Sequence, residues 1–422
     1  MKSSIATASR DRLRIGLRRI NSRGFMRFAR KAPWVSERES VRDLVVYPTF
    51  DSAAAFGDTL NRLGWYLPEG SVGELDLTAS VDGEVAAAAD HVPAAQEPFE
   101  TDHLPVENVD RSTLRARAAT ADRLLVWDAN ARLSVPALRN AANVKIVDPS
   151  FYSTDESLNW ARTSHAARRG LTDHSREMYA RLEDRAEGTD ESYVFGTGPS
   201  LDRVFEREIP GDALSVICNS IVRNDDLLEH LEPDVLTFAD PVFHFGPSRY
   251  AARFREDAVR AVREYDVVVV LPEEYRGLLV GHYPDLADRT VGLRSVREGF
   301  RFPTADSLET LETSNIMTKL MLPVASGLTD TVRIVGADGR EEDESYFWEH
   351  SDVGQYDDDL MNTAFETHPA FFRDRVYTDY YRQHVETLTE LIALGEERGV
   401  TYESVTPSYV PCLDERTVED PL

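Results

Sequence analysis

Gly196, Thr197, Gly198, Pro199 and Ser200 follow a short apolar run, Tyr193 to Phe195, and precede an amphipathic pattern beginning at Ser200. That is the spelling of a strand, a tight glycine turn and a helix start. In an open α/β sheet such a turn, at the carboxyl end of a strand, is where a phosphate or nucleotide sits. Glycine permits positive φ and close backbone approach, and Pro199 suits a first helical turn because it has no N–H to leave unpaired. The segment is neither GxGxxG nor a Walker loop, since no Gly-Lys-Ser/Thr follows it. Other strand ends carry polar tips of the same kind: Asn219 and Ser220, then Asp240, then Gly336, Asp338 and Arg340, and last Ser408. Thr313, Ser314 and Asn315 add a hydroxyl-rich helix start. Singly these residues also fit structural duties: Asn219 as a turn former, Asp240 as a cap before Pro241, Asp338 as half of a plain turn, and Thr313 to Asn315 as an N-cap.

Acid–base candidates lie in the same half of the chain. His244, His282, His350, His368 and His384 all fall there, and histidine is the usual general base near neutral pH. His368 stands in a loop between two strand candidates, which makes it the catalytic candidate together with Asp338. His384 falls inside a helical pattern and reads as a surface residue. No histidine pair has metal-ligand spacing, and Asp357, Asp358 and Asp359 read as a solvated acidic loop.

The elements that must position these residues alternate between strand and helix patterns, which implies βαβ units and a parallel sheet. Residues 40–150 read as a small α/β domain. Its strands are Asp43 to Phe50, Val72 to Leu77, Arg123 to Trp127 and Val144 to Val147, with a loop and some helix over Val85 to Val106. Residues 151–188 read as a helical linker. Residues 190–412 read as a doubly wound, Rossmann-like nucleotide-binding domain. Its strands are Tyr193 to Phe195, Leu214 to Cys218, Val235 to Phe238, Val267 to Leu271, Thr331 to Val335 and Thr401 to Val405. The predicted fold class is therefore α/β, a doubly wound domain preceded by a smaller α/β one.

Charge bounds the partners. The 422 residues carry 74 acidic and 47 basic side chains, a net charge of −27. Lysine occurs only at Lys2, Lys31, Lys145 and Lys319, the remaining basic residues being arginine. An acidic, lysine-poor surface suits a protein working in high salt, where counterions screen self-repulsion. Such a surface opposes binding to a nucleic-acid backbone. Residues 1–35 invert this balance, with ten basic residues against Asp11 and with Leu13, Leu17 and Ile20 at helical spacing. They read as a basic amphipathic leader suited to an anionic membrane surface. The longest apolar run, Val267 to Pro272, is too short to cross a bilayer, and Cys218 and Cys412 form no disulfide framework or zinc pattern. The expected location is the cytoplasm, at the inner face of the membrane if the leader binds there.

The order of motifs carries a resemblance. Phe195 to Asp202, Cys218-Asn219-Ser220, Pro233-Asp234 with Asp240-Pro241, Thr313-Ser314-Asn315, Val335 to Gly339 and Tyr402 to Tyr409 together resemble the bacterial lipooligosaccharide sialyltransferases and the related domain of archaeal 6-hydroxymethylpterin diphosphokinases. The resemblance covers about 190–412. It implies that Gly196 to Ser200 and Asn219 hold the phosphate and ribose of a nucleotide, and that Thr313 and Ser314 line the same cleft. Tyrosines after the Gly-x-Asp strand bind the phosphate in the sialyltransferases, and Tyr346 is the match. The family's catalytic histidine falls near Val376 and Tyr377, which are not histidines; His368 is eight residues before Val376.

The first functional expectation is a glycosyltransferase that takes a nucleotide-activated sugar, such as a CMP-linked nonulosonic acid, to a glycan or lipid-linked acceptor, with no cofactor required. The second is pyrophosphoryl transfer from ATP to a pterin, which would want Mg2+ on carboxylates such as Asp240 and Asp338. The third is a non-catalytic nucleotide-binding scaffold in a glycan assembly complex.

Overall fold

The computed structural model describes residues 41–69, 75–128, 140–148, 165–340, 356–370 and 377–419, with positions 131, 133, 137, 150 and 158. The leader at 1–35 and Tyr346 lie outside the described residues. The chain divides into two compact units, 1–94 with 98–167, and 168–422 with 95–97.

The first unit holds a five-stranded, fully parallel sheet. Its strands are β1 (Asp43–Tyr47), β2 (Asp76–Ala79), β3 (Val106–Asn108), β4 (Arg123–Val126) and β5 (Val144–Ile146), in the order β3-β2-β1-β4-β5. Parallel sheets need cover on both faces. Val45, Tyr47, Leu124 and Val126 pack on one side with Leu114, Ala118 and Ala141, while the alternate residues Leu44 and Val46 are equally buried. Helix α1 (Ala53–Tyr66) starts at Ser52, whose hydroxyl accepts from Ala55 N at 3.1 Å, as an N-cap should. β3 falls where the sequence suggests the end of a loop. It is a three-residue edge strand and carries almost no hydrophobic pattern.

The second unit holds eight parallel strands in the order β11-β10-β9-β8-β7-β6-β12-β13. They are β6 (Glu191–Phe195), β7 (Leu214–Cys218), β8 (Val235–Thr237), β9 (Val268–Pro272), β10 (Thr290–Val296), β11 (Glu309–Leu311), β12 (Thr331–Val335) and β13 (Thr401–Ser404). β10 and β11 are absent from the sequence reading. β10 is interrupted by Gly292, Arg294 and Ser295, which hide its pattern. Gly292 is needed there because a Cβ would lie 2.9 Å from Glu273 Cα.

Helix α2 (His165–Ala186), expected as a linker, buries Met178, Tyr179 and Leu182 in this unit's core. On the sheet they meet Val194, Val216, Val270, Val332 and Ile334. Helix α3 (Arg249–Glu264) follows β8, α4 (Glu273–His282) follows β9, and α5 (Asp358–Thr367) and α6 (Tyr377–Glu397) lie between β12 and β13. Among the described residues no helix is long and apolar enough to cross a membrane.

The strand order fixes where a ligand crevice falls. From β6 the chain winds outward through β7 to β11, then returns to the other side of β6 with β12 and β13. The winding reverses between β6 and β12, and that reversal is where open α/β sheets bind ligands, beyond the carboxyl ends.

Candidate functional site

The glycine loop lies at this reversal. Phe195 pairs with Val335 across β6 and β12 and with Ile217 across β6 and β7. The residues just past this row, Gly196, Gly336 and Cys218, therefore open the loops side by side. Gly196 N donates to Val335 O at 2.8 Å, and Gly198 N to Gly336 O at 2.9 Å. A Cβ at Gly196 would lie 2.5 Å from Gly336 O, and one at Gly198 would lie 2.8 Å from the same oxygen and collide with the Asp338 carboxylate. Close backbone approach is thus the reason for these glycines, but the approach is of one loop to the other. The positive φ falls instead on Gly336, at 69°.

Asp338 closes the junction. Its carboxylate accepts from Ser200 N at 3.1 Å and from Ser200 Oγ at 2.8 Å, anchoring the start of the 3-10 turn Pro199–Glu206. Burial pushes the Asp338 carboxyl above its usual range, against the two bonds from Ser200. Ser408 performs a similar task, its hydroxyl donating to Ala337 O at 2.7 Å and accepting from Val410 N at 3.1 Å. Gly336 N is itself bonded to Thr406 Oγ1 at 3.1 Å. Asp338, Ser200 and Ser408 therefore build the wall of the crevice.

The neighbouring strand ends are also engaged. Asp240 Oδ1 accepts from Val242 N at 2.7 Å and Phe243 N at 2.9 Å, the capping duty its place before Pro241 suggests. Asp240 N donates to His244 Nδ1 at 2.9 Å. His244 is buried against Phe238 and Phe254, and burial with the nearby Arg255 guanidinium holds its pKa down at about 3. It is a neutral structural imidazole. Thr313 Oγ1 bonds Thr318 Oγ1 at 2.9 Å, Asn315 Oδ1 accepts from Met317 N at 2.9 Å, and Ser314 O accepts from the Tyr380 hydroxyl. Those three residues make a helix start, here a π-turn over Met317–Met321. Cys218 is inert, its thiol buried and pushed up to about 12.

Two groups at the same edge are left over. Asn219, the first residue past β7, holds φ at 49°, and its Oδ1 is buried without a hydrogen-bond partner among the described residues. Asparagine tolerates the left-handed region better than most residues, but a buried, unpaired carbonyl oxygen costs about 1–3 kcal/mol. Arg340, two residues beyond Asp338, is 5% exposed, and its Nε and Nη1 have no hydrogen-bond partner among the described residues. Its guanidinium meets only the Tyr381 ring, 4.8 Å from the centroid, and no carboxylate among the described residues. The Tyr381 hydroxyl fixes the backbone beneath it, donating to Arg340 O at 2.8 Å. The hydroxyls of Thr197 and Ser220 likewise carry no bond among the described residues.

The remaining sequence candidates divide. His368 is wholly buried at the end of α5, its Cε1 3.4 Å from where a Gly246 Cβ would stand. A ring with no exposed surface does not present a base to an acceptor in this conformation. Tyr377 begins α6. In the sequence Arg340 is one polar residue among many past β12. Burial and the lack of a partner single it out, and neither is written in its neighbours.

Among the described residues no three His, Cys, Asp or Glu side chains converge to hold a metal, and Asp240 and Asp338 are occupied by N–H and O–H donors. The set does not fit a preformed Mg2+ site. What the crevice offers is a cation, a buried acceptor oxygen and two hydroxyls, the N–H groups of Gly196, Gly198 and Ser200 being spent within the protein. Those are the partners of a phosphoryl group joined to a polar, hydrogen-donating body.

No family model matches the chain, and no curated protein matches it. Among solved structures, a monofunctional alpha-2,3-sialyltransferase, Cst-I from Campylobacter jejuni, is similar to it at 14% identity over 51% of this chain and 76% of that chain, with a TM-score of 0.31.

Proposed function

We propose that the protein is a transferase that binds a nucleotide-activated sugar at the carboxyl edge of the eight-stranded sheet and passes the sugar to a glycan or lipid-linked acceptor. The observation that carries this reading is Arg340, a buried guanidinium with no carboxylate partner among the described residues, at the reversal point of the sheet. A buried charge without a partner is strongly unfavourable, so its natural complement is an anion brought by a ligand. The sequence resemblance of Phe195 to Asp202 and Val335 to Gly339 to nucleotide-sugar transferases agrees in kind.

In the reaction an acceptor hydroxyl oxygen attacks the anomeric carbon, and the bond from that carbon to the phosphate oxygen breaks. The nucleotide leaves with the bonding pair, and the hydroxyl proton passes to a base. Arg340 would stabilise the charge growing on the departing phosphate, the kind of preorganised electrostatic contact that lowers such barriers. Asn219 Oδ1 would accept from a ribose hydroxyl or a base amino group. Asp338 and Ser200 would keep the loop in register.

Thermal unfolding in high salt with CMP, UDP, GDP and ATP, each with and without Mg2+, tests the reading. Stabilisation by a nucleoside mono- or diphosphate without Mg2+ is the expected outcome. Stabilisation by ATP alone, and only with Mg2+, would replace sugar transfer with pyrophosphoryl transfer.

A further inference from the structure

A cavity of about 470 Å³ opens beside the first turns of α3 and α5, lined in part by Arg223, Arg249, Arg253, Asp257, Tyr356 and Glu97. It is chemically distinct from the glycine crevice. Arg223 ends the short turn Asn219–Arg223 that begins past β7, and Arg249 opens α3.

Arginines in this acidic chain are mostly paired. Arg253, Arg260, Arg263, Arg333 and Arg416 each meet a carboxylate. Among the described residues Arg223 and Arg249 do not, although acids line the same cavity. Three of those acids, Asp257, Asp357 and Glu256, already engage other groups. Asp257 takes Arg253 through two bonds of 3.1 Å and the Tyr356 hydroxyl at 2.8 Å. Asp357 Oδ1 caps α5 at Leu360 N, 2.8 Å away. Glu256 lies 3.9 Å from Arg253.

Arg223 is also held in place. Its guanidinium carbon lies 5.4 Å from the centroid of the Tyr356 ring. That ring is fixed by the bond to Asp257 and by an edge contact with Tyr250 at 5.1 Å. Two guanidiniums without carboxylates, one oriented over a buried ring, facing a cavity of small-molecule size, are a recognition device for one anionic group. The carboxylates of Glu97 and Glu256 on the same wall disfavour a polyanion and suit hydroxyl donors.

We propose that this cavity binds an acidic sugar, with Arg223 and Arg249 holding its carboxylate or phosphate and the neighbouring carboxylates accepting from its hydroxyls. Under the transferase reading this is the acceptor's place, but the binding stands or falls separately from that reading.

Calorimetric titration of the full chain with glucuronate, glucose 6-phosphate and glucose tests it. At least one acid should bind and glucose should not, and the acid that binds names the group. Arg223→Gln and Arg249→Gln should each weaken that acid about tenfold or more, as loss of a charge-assisted hydrogen bond does. Nucleotide binding should be unchanged in both variants. If neither acid binds the wild type, or the double variant binds them equally well, the proposal is overturned. Nucleotide binding measured in the same samples reports on the transferase reading independently.

Discussion

The two sheets reverse their winding in the same way, between β1 and β4 in the first and between β6 and β12 in the second. Their carboxyl edges are nevertheless different surfaces. At the first, the polar residues satisfy one another. Thr49 Oγ1 bonds Ser80 Oγ at 3.2 Å, and Asn108 accepts from Val81 N at 2.9 Å while donating to Val81 O at 3.1 Å and Gly83 O at 3.2 Å. Among the described residues of that edge no buried side-chain polar atom lacks a partner. At the second, Asn219 Oδ1 and the Nε and Nη1 of Arg340 are buried with no hydrogen-bond partner among the described residues. A topological crevice is therefore only an opportunity. A site needs groups whose partners the chain itself withholds.

The largest effect that could sharpen this contrast is acid unfolding. In the second unit burial holds His244 at about 3 and His384, which is buried on α6 and not on the surface as its helical pattern suggests, at about 4. The unfolded chain takes up these protons near pH 6.5, and the folded chain does so only well below it. The stability they contribute is full above about pH 6.5 and drains as pH falls toward 3, at up to about 1.4 kcal/mol per pH unit for each histidine. Urea unfolding between pH 7 and 4.5 should show the loss. His244→Gln should flatten it, and an unchanged slope in that variant would break the assignment.

Next in size is Arg340→Met. It removes a buried charge and keeps the stem, so nucleotide affinity should fall about a hundredfold while thermal stability holds or rises. An arginine kept for structure would lose stability instead, so a lowered melting temperature with intact nucleotide binding would erase the distinction between the two edges.

The smallest effect compares two asparagines at carboxyl strand ends, Asn108 on an edge strand and Asn219 past an interior one. Asn108→Ala should lower stability by about 1–2 kcal/mol, because it strands the groups it now satisfies, and leave ligand binding alone. Asn219→Gly should be neutral or mildly stabilising, since glycine accepts the positive φ, and should weaken nucleotide binding about tenfold. Equal stability losses at both would show that Asn219 is as structural as Asn108.

Much of the frame was legible. β7 and β12 occupy the residues expected of them, β7 because its five positions are all buried and nearly all apolar, and β12 because Val332, Ile334 and Val335 mark a short buried strand. β10 and β11 were not legible, since β11 is a three-residue edge strand with Glu309 in it, and Gly292, Arg294 and Ser295 break the apolar run of β10 beside it. Within the site, Gly196, Gly198, Ser200 and Asp338 are brought together as the motif order suggests, yet as partners of one another. His368, a loop histidine in sequence, became a wholly buried helix end because α5 extends to Thr367.

By itself, the sequence determined the alternation of strands and helices, and with it which short segments end up along one edge of a parallel sheet. It also determined the acidic, arginine-biased charge. Only the tertiary structure decided which polar residues on that edge remain free. Hydrogen-bond partners there come from far along the chain, Ser200 and Asp338 standing 138 residues apart and Ser408 and Ala337 standing 71 apart. Whether a side chain is spent on the fold or left for a ligand depends on such distant pairings, and local pattern does not encode them.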